Sequence, residues 1–259
     1  MRTYLNWLHI SDIHFHAKTE WRDSHVRTLL LSFLKNELEN KDALKPDLIF
    51  CTGDIAFGEA DSDSLDEQYA KSIAFFDELR AVCGRNGNSL SIERLFVVPG
   101  NHDINRNSID PQVQSNLHAW AEKSRDNNER IQEQFNDRRY EVDSALRRLA
   151  AYSSFVKNYL PHQYDENGRC RYANIFNIDG LKVGVAGFNS AWSSAGDEDD
   201  RHLWMAAEWQ FYSAKEIIND AAIRIGLMHH PVDWLNEAER DVTRRNIDKY
   251  YHFWLHGHE

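Results

Sequence analysis

The feature that most constrains this chain is a repeated punctuation: short apolar runs, each ending in a turn that carries aspartate or histidine. Tyr4–Ile10 stops at Ser11-Asp12-Ile13-His14, Asp47–Cys51 at Thr52-Gly53-Asp54, and Leu95–Val98 at Pro99-Gly100-Asn101-His102-Asp103. Between them lie two stretches with apolar residues at helical spacing. Ser24–Leu38 carries Val26, Leu29, Leu30, Phe33, Leu34 and Leu38, and Leu65–Leu79 carries Tyr69, Ile73, Phe76 and Leu79. A β-α-β-α-β order of this kind predicts an α/β fold, in which helices cover a sheet containing parallel strands.

The second half continues in the same vein. Tyr172–Ile178 and Leu181–Gly187 flank Asp179-Gly180, which is a hairpin signal. Trp204–Ile218 and Trp234–Tyr250 read as helices, and Ile223–Met228 and Phe253–Leu255 as strands. From Ser115 to about Tyr159 the chain is rich in Glu, Gln, Arg and Asn, with Trp120, Phe135, Tyr140, Leu146, Leu149 and Phe155 available for burial. One or two amphipathic helices are expected there, as a helical insertion over about 104–162 within one domain spanning 1–259.

Composition narrows the setting. A chain of 259 residues with 42% hydrophobic residues can bury a large core without staples. Its 41 acidic and 30 basic residues leave a net charge of -11, which disfavours non-specific attachment to DNA or anionic membranes. The three cysteines (Cys51, Cys83, Cys170) have no paired spacing, so neither a disulfide framework nor a zinc ribbon is expected. The first residues, MRTYLNWLHISDIHF, do not form a signal peptide, and no apolar run is long enough to span a bilayer. A cytoplasmic protein without a membrane partner is the expectation.

Met228-His229-His230-Pro231 and His256-Gly257-His258 close the two later strands, which makes five strand ends carrying such groups. Ligands of open α/β sheets bind outside the carboxyl ends of the strands, so these groups can converge although they are far apart in sequence. Carboxylates, imidazoles and an amide oxygen, without thiolate, suit Mn, Fe or Zn better than Ca. A metal pair bridged by one aspartate clamps a phosphoryl group and acidifies a bound water. Asp54, beside a glycine, is the candidate bridge. No Walker loop or dinucleotide fingerprint is present.

The motifs DIH, GD, GNHD, HHP and the final GH resemble the calcineurin-like metallophosphoesterase superfamily over nearly the whole chain. The resemblance implies a four-layer α/β/β/α sandwich (the metallophosphoesterase fold) and a centre of two divalent metal ions. Asp12 and His14 would bind the first metal, Asp54 would bridge, and Asn101, His229 and His258 would hold the second. His102 would hydrogen-bond the phosphate or protonate the leaving oxygen, and Asp103 would orient and charge-tune that imidazole. His230 would play a supporting part. The family pattern ends Gly-His-x-His, whereas this sequence stops one residue short at Glu259, so a longer polypeptide is expected. His256 suits a core or supporting role.

The flanking text WLHISDIHF, PDLIFCTGDIAFGE and RLFVVPGNHDINR resembles N-terminal phosphoesterase domains of bacterial multidomain proteins, fused to STAND-type NTPase or repeat modules. That implies an effector domain with a covalently linked C-terminal regulatory domain. The expected reaction is hydrolysis of nucleotide or nucleic-acid phosphodiesters, and a nuclease is suggested by the similarity to double-strand-break repair nucleases. A phosphomonoesterase and a catalytically silent metal-bound scaffold are the alternatives. Arg106 and Asn189 are candidate substrate contacts. The acidic run from Asp197 to Asp200 reads as a solvated loop, and the Arg138-Arg139 and Arg147-Arg148 pairs as a solvated helical face.

Overall fold

Three parallel strands, β1 (Trp7–Ile10), β2 (Leu48–Cys51) and β3 (Leu95–Val97), lie side by side in the order β1-β2-β3. In this computed structural model, which describes residues 4–60, 63–196 and 199–258, β2 is buried along its whole length. Its sequence, Leu-Ile-Phe-Cys, has no polar residue, as a strand covered on both faces requires. Ile49 and Cys51 face the core under the helices, and Leu48 and Phe50 face a second sheet. Helices α1 (Glu20–Leu38) and α2 (Leu65–Cys83) pack against each other over the first of these faces. Ser64 and Glu67 start α2 by capping each other's backbone N–H.

The second sheet contains β4 (Tyr172–Ile178), β5 (Leu181–Gly187), β6 (Ile223–Leu227) and β7 (Phe253–Leu255). β4 and β5 form the expected hairpin, with Asp179 at φ 51° and Gly180 at φ 90°, and the other pairs are parallel. Leu48, Phe50 and Phe96 of the first sheet, with Val98 just beyond β3, meet Tyr172, Val183, Val185, Ile225 and Leu227 of the second in one apolar layer. Helices α7 (Ala207–Ile218) and α8 (Glu237–Tyr250) cover the outer face. The order of layers is therefore α/β/β/α. Among the described residues, no helix is long and apolar enough to cross a membrane.

The region after β3 departs from expectation. Instead of one or two helices it holds four: α3 (Pro111–Ala121), α4 (Ser124–Asp137), α5 (Tyr140–Leu146) and α6 (Ala150–Tyr159). The chain breaks at Arg138, which turns left-handed at φ 51° with no glycine or proline to announce it. Val113, Leu117, Ile131, Phe135, Val142 and Phe155 join the same core as the outer face of the first sheet. Of the arginines read as a solvated face, Arg148 is fully buried. It donates to the carbonyls of Ala145 and Ser194 and to Gln114 Oε1, and burial lowers its pKa to about 10. Asp199, read as part of a solvated loop, is buried too and accepts from Ala195 N and Gly196 N. Asp197 and Glu198 lie outside the described residues.

Helix α1 is apolar on two sides. Leu30, Leu34 and Leu38 face the core, whereas Trp21, Val26, Leu29 and Phe33 are exposed. The later helices begin after the expected positions. Trp204, Met205 and Ala206 form a buried lead-in to α7, and α8 starts only after its cap Asn236.

Glu239, in the first turn of α8, is completely buried and accepts from Met205 N, Ala207 N and Gln132 Nε2. Burial raises its pKa from 4.5 to about 7, against the pull of those donors. The folded state therefore holds a proton that the unfolded state releases near pH 4.5, so this contribution to stability is complete below that pH and is lost as pH rises through 7. Urea unfolding in chelator should show wild type losing about 3 kcal/mol relative to Glu239→Gln between pH 4.5 and pH 8. An unchanged gap between the two proteins would rule the titration out.

Candidate metal centre

Hydrogen bonding carries on past the strand ends and fixes the loops that follow. Thr52 N donates to Ile10 O, Asp12 N to Gly53 O, His14 N to Asp54 O and Phe15 N to Ile55 O. The loops after β1 and β2 are thus zipped together residue by residue. In the other sheet Met228 N donates to Leu255 O and Gly257 N to His229 O. Asp12, His14, Asp54 and His258 all adopt φ between 52° and 60°. Left-handed backbone in a residue with a side chain costs about 1–3 kcal/mol and persists only where surrounding bonds enforce it.

Hydrogen bonds to the backbone join the sheets at this end. His229 Nδ1 lies 2.7 Å from Thr52 O, and His258 N donates to Asp12 Oδ2. Gly53 makes the first approach possible, since a Cβ there would stand 2.5 Å from His229 Nδ1, and its own φ is 91°. Gly100 serves Asp54 in the same way, because a Cβ would meet Asp54 Oδ1 at 2.1 Å.

The result is two groups of donor atoms sharing one oxygen. Asp54 Oδ2 is 3.5 Å from His14 Nε2 and 3.4 Å from His229 Nε2. Asp12 Oδ1 stands 3.8 Å from His14 Nε2 on one side. On the other, Asn101 Oδ1 and His258 Nδ1 are 3.0 and 3.1 Å from His229 Nε2. The Thr52 carbonyl can only accept, so a His229 hydrogen sits on Nδ1, and the ring in its neutral form presents a lone pair at Nε2. That lone pair faces a carboxylate, an amide oxygen and another imidazole nitrogen. Such a ring of acceptors calls for a cation, and its oxygen and nitrogen donors suit a divalent metal.

Electrostatics agree. Burial opposes charge on His14 and His229, yet Asp12 and Asp54 outweigh it and raise the His14 pKa, as Asp54 does for His229. Burial also works against ionisation of Asp12, but hydrogen bonds from His14 and Ser11 hold its pKa at about 2.

His102 projects beside these groups. Its backbone N donates to Asp54 Oδ1, its Nδ1 lies 3.2 Å from Phe57 O, and the Phe57 ring stacks on it at 4.9 Å. The Phe57 carbonyl fixes the hydrogen on Nδ1 and leaves Nε2 free. Asp103 does not perform the task expected of it. Its buried carboxylate accepts from Gly100 N, Ile55 N, Ala56 N and Tyr69 OH, with no bond to the His102 ring. Burial and the nearby Asp54 push its pKa up to about 6. Asp103 is a brace between two loops.

Asn189 is a second correction. It is fully buried, with Nδ2 donating to Arg169 O and Oδ1 accepting from Ala191 N and Trp192 N, which leaves nothing to offer a substrate. Arg106 is exposed on a short helical turn, and its charge joins burial and His14 in lowering the His102 pKa. His256 Nδ1 lies 3.1 Å from Gly257 O, away from the donor groups. His230 sits among His229 and His258, with Nδ1 on Ser190 Oγ and a buried Nε2 that has no partner. Sequence reasoning missed Thr52 and Phe57, because both act through carbonyl oxygens that carry no side-chain signal.

Replacing Asp103 with Asn puts an NH2 against backbone donors. Asp103→Asn should lower the unfolding free energy by about 2 kcal/mol in chelator, measured by urea titration. Unchanged stability would contradict the bracing role.

No curated protein matches this chain. The family model for calcineurin-like phosphoesterases matches residues 5–259. The layered fold and the donor groups at its strand ends agree with that match, and the chain belongs to the calcineurin-like phosphoesterases, divalent-metal-dependent hydrolases of phosphate esters.

Proposed function

We propose that this protein is a binuclear metal-dependent phosphodiesterase acting on nucleotide or nucleic-acid phosphodiesters. The observation that carries the binuclear reading is the place of Asp54 Oδ2, between His14 Nε2 and His229 Nε2. Asp12, His14 and Asp54 would hold one ion, and Asp54, Asn101, His229 and His258 the other. Manganese suits this donor set, which lacks thiolate. When bound, the pair supplies a nucleophilic water and offsets negative charge on the phosphoryl oxygens.

The protein's own groups do the rest. Thr52 O anchors His229, and Gly53 and Gly100 leave the room that the His229 ring and the Asp54 carboxylate occupy. His102, anchored through Nδ1, presents Nε2 to hydrogen-bond the phosphate or to hand a proton to the departing ester oxygen. The net charge of -11 favours small diesters over long polyanions, so a nuclease would depend on bound cations or a partner to draw DNA in.

Manganese binding by calorimetry should give two equivalents per chain. The protein should then cleave bis(p-nitrophenyl) phosphate faster than p-nitrophenyl phosphate, and His102→Ala should lower kcat about a hundredfold or more without changing metal content. Faster cleavage of the monoester would identify a phosphomonoesterase, and metal uptake without turnover of either ester a scaffold. Nicking of plasmid DNA, lost in His102→Ala, would establish the nuclease form.

A further inference from the structure

A pocket of about 320 Å³ adjoins the metal centre on the α1 side and shares Asp12 with it. Val26, Leu30 and Phe75 give it apolar walls, and Asp23 and Arg27 line it with charge. Its size is in the range of small-molecule sites. The two charged residues stand one helical turn apart on α1, so a donor and an acceptor lie side by side. Arg27 is held rigidly, with Nη2 on Glu20 Oε1 and its guanidinium 4.2 Å above the Phe15 ring. Its Nη1 is buried and has no hydrogen-bond partner. The Asp23 side chain is mostly buried and takes hydrogen bonds from Arg22 Nε and from the Thr19 side chain, and a carboxylate with two such donors still has lone pairs for a further one.

These features describe the group the pocket would accept. Apolar walls favour a flat, weakly hydrated ring system. An acyl chain would fill the space but would leave Arg27 Nη1 without a partner and offer Asp23 no further donor, at a cost in affinity. A ring edge with an N–H beside a C=O, as in uracil or guanine, would give its hydrogen to Asp23 and its carbonyl to Arg27. Resting on the phosphodiester reading above, we propose that this pocket is a nucleobase subsite: with the phosphoryl group at the metal centre, an ester substituent passes over Asp12 and places an unpaired base between Val26, Leu30 and Phe75. A base-paired duplex hides that edge, so the subsite selects free nucleotides or single-stranded ends.

The test is calorimetric binding to the manganese-loaded protein, which needs no turnover. Uridine 5′-monophosphate, guanosine 5′-monophosphate, ribose 5-phosphate and n-hexyl phosphate are compared as probes. At least one nucleotide should bind about tenfold tighter than ribose 5-phosphate and tighter than hexyl phosphate. Val26→Glu at the exposed rim and Arg27→Met should each shrink the nucleotide-to-ribose-phosphate ratio, whereas a general disturbance of the centre weakens all four probes together. Equal binding of nucleotides and ribose 5-phosphate overturns the subsite, as does hexyl phosphate matching the nucleotides, or a ratio that survives both substitutions. The reaction fails separately: bis(p-nitrophenyl) phosphate left intact while p-nitrophenyl phosphate is cleaved would remove the diesterase reading and leave the binding ratios to decide the pocket.

Discussion

The contact between His229 Nδ1 and the carbonyl of Thr52 crosses from one sheet to the other, and the geometry of the candidate metal centre depends on it. It fixes the imidazole's hydrogen on one nitrogen and aims the other at Asp54, Asn101 and His258. Gly53 must be a glycine for the ring to come so close. The apolar layer between the sheets sets the separation at which this contact forms, since Phe50 and Phe96 pack there directly against Tyr172, Val185 and Leu227. The core therefore serves chemistry as well as stability, by setting the spacing of donor atoms that belong to different sheets.

The same end of the molecule concentrates its costs. Four candidate ligands adopt left-handed backbone, carboxylates face one another, and His230 keeps a buried nitrogen without a partner. Asp103 is the main compensation, spending both carboxylate oxygens on backbone N–H groups from two loops. A chain optimised only for stability would not place so many strained and charged residues in one spot.

Much of this was legible in the sequence, and the parts that were not share a cause. β4, β5 and β7 were readable to the residue because apolar runs are bounded by turn residues such as Asp179-Gly180. The convergence of Asp12, His14, Asp54, Asn101, His229 and His258 followed from their places at strand ends. Asp103, Asn189 and Arg148 were misread because their partners are mostly backbone atoms, which carry no side-chain signal, and each has at least one that is distant in sequence, as with Arg148 and Ser194, 46 residues apart. The four-helix region was misjudged because its break at Arg138 uses a left-handed arginine, which no residue preference signals.

Asp12 and His258 touch across 246 residues of sequence. No fragment that lacks either sheet can assemble the donor set, and closing so long a loop comes late in folding, after local helices and hairpins have formed. The complete donor set should therefore arrive all at once, when β7 docks, rather than grow with the chain. A molecule in which these two distant segments have not met holds only part of the donor set, however much secondary structure it has formed.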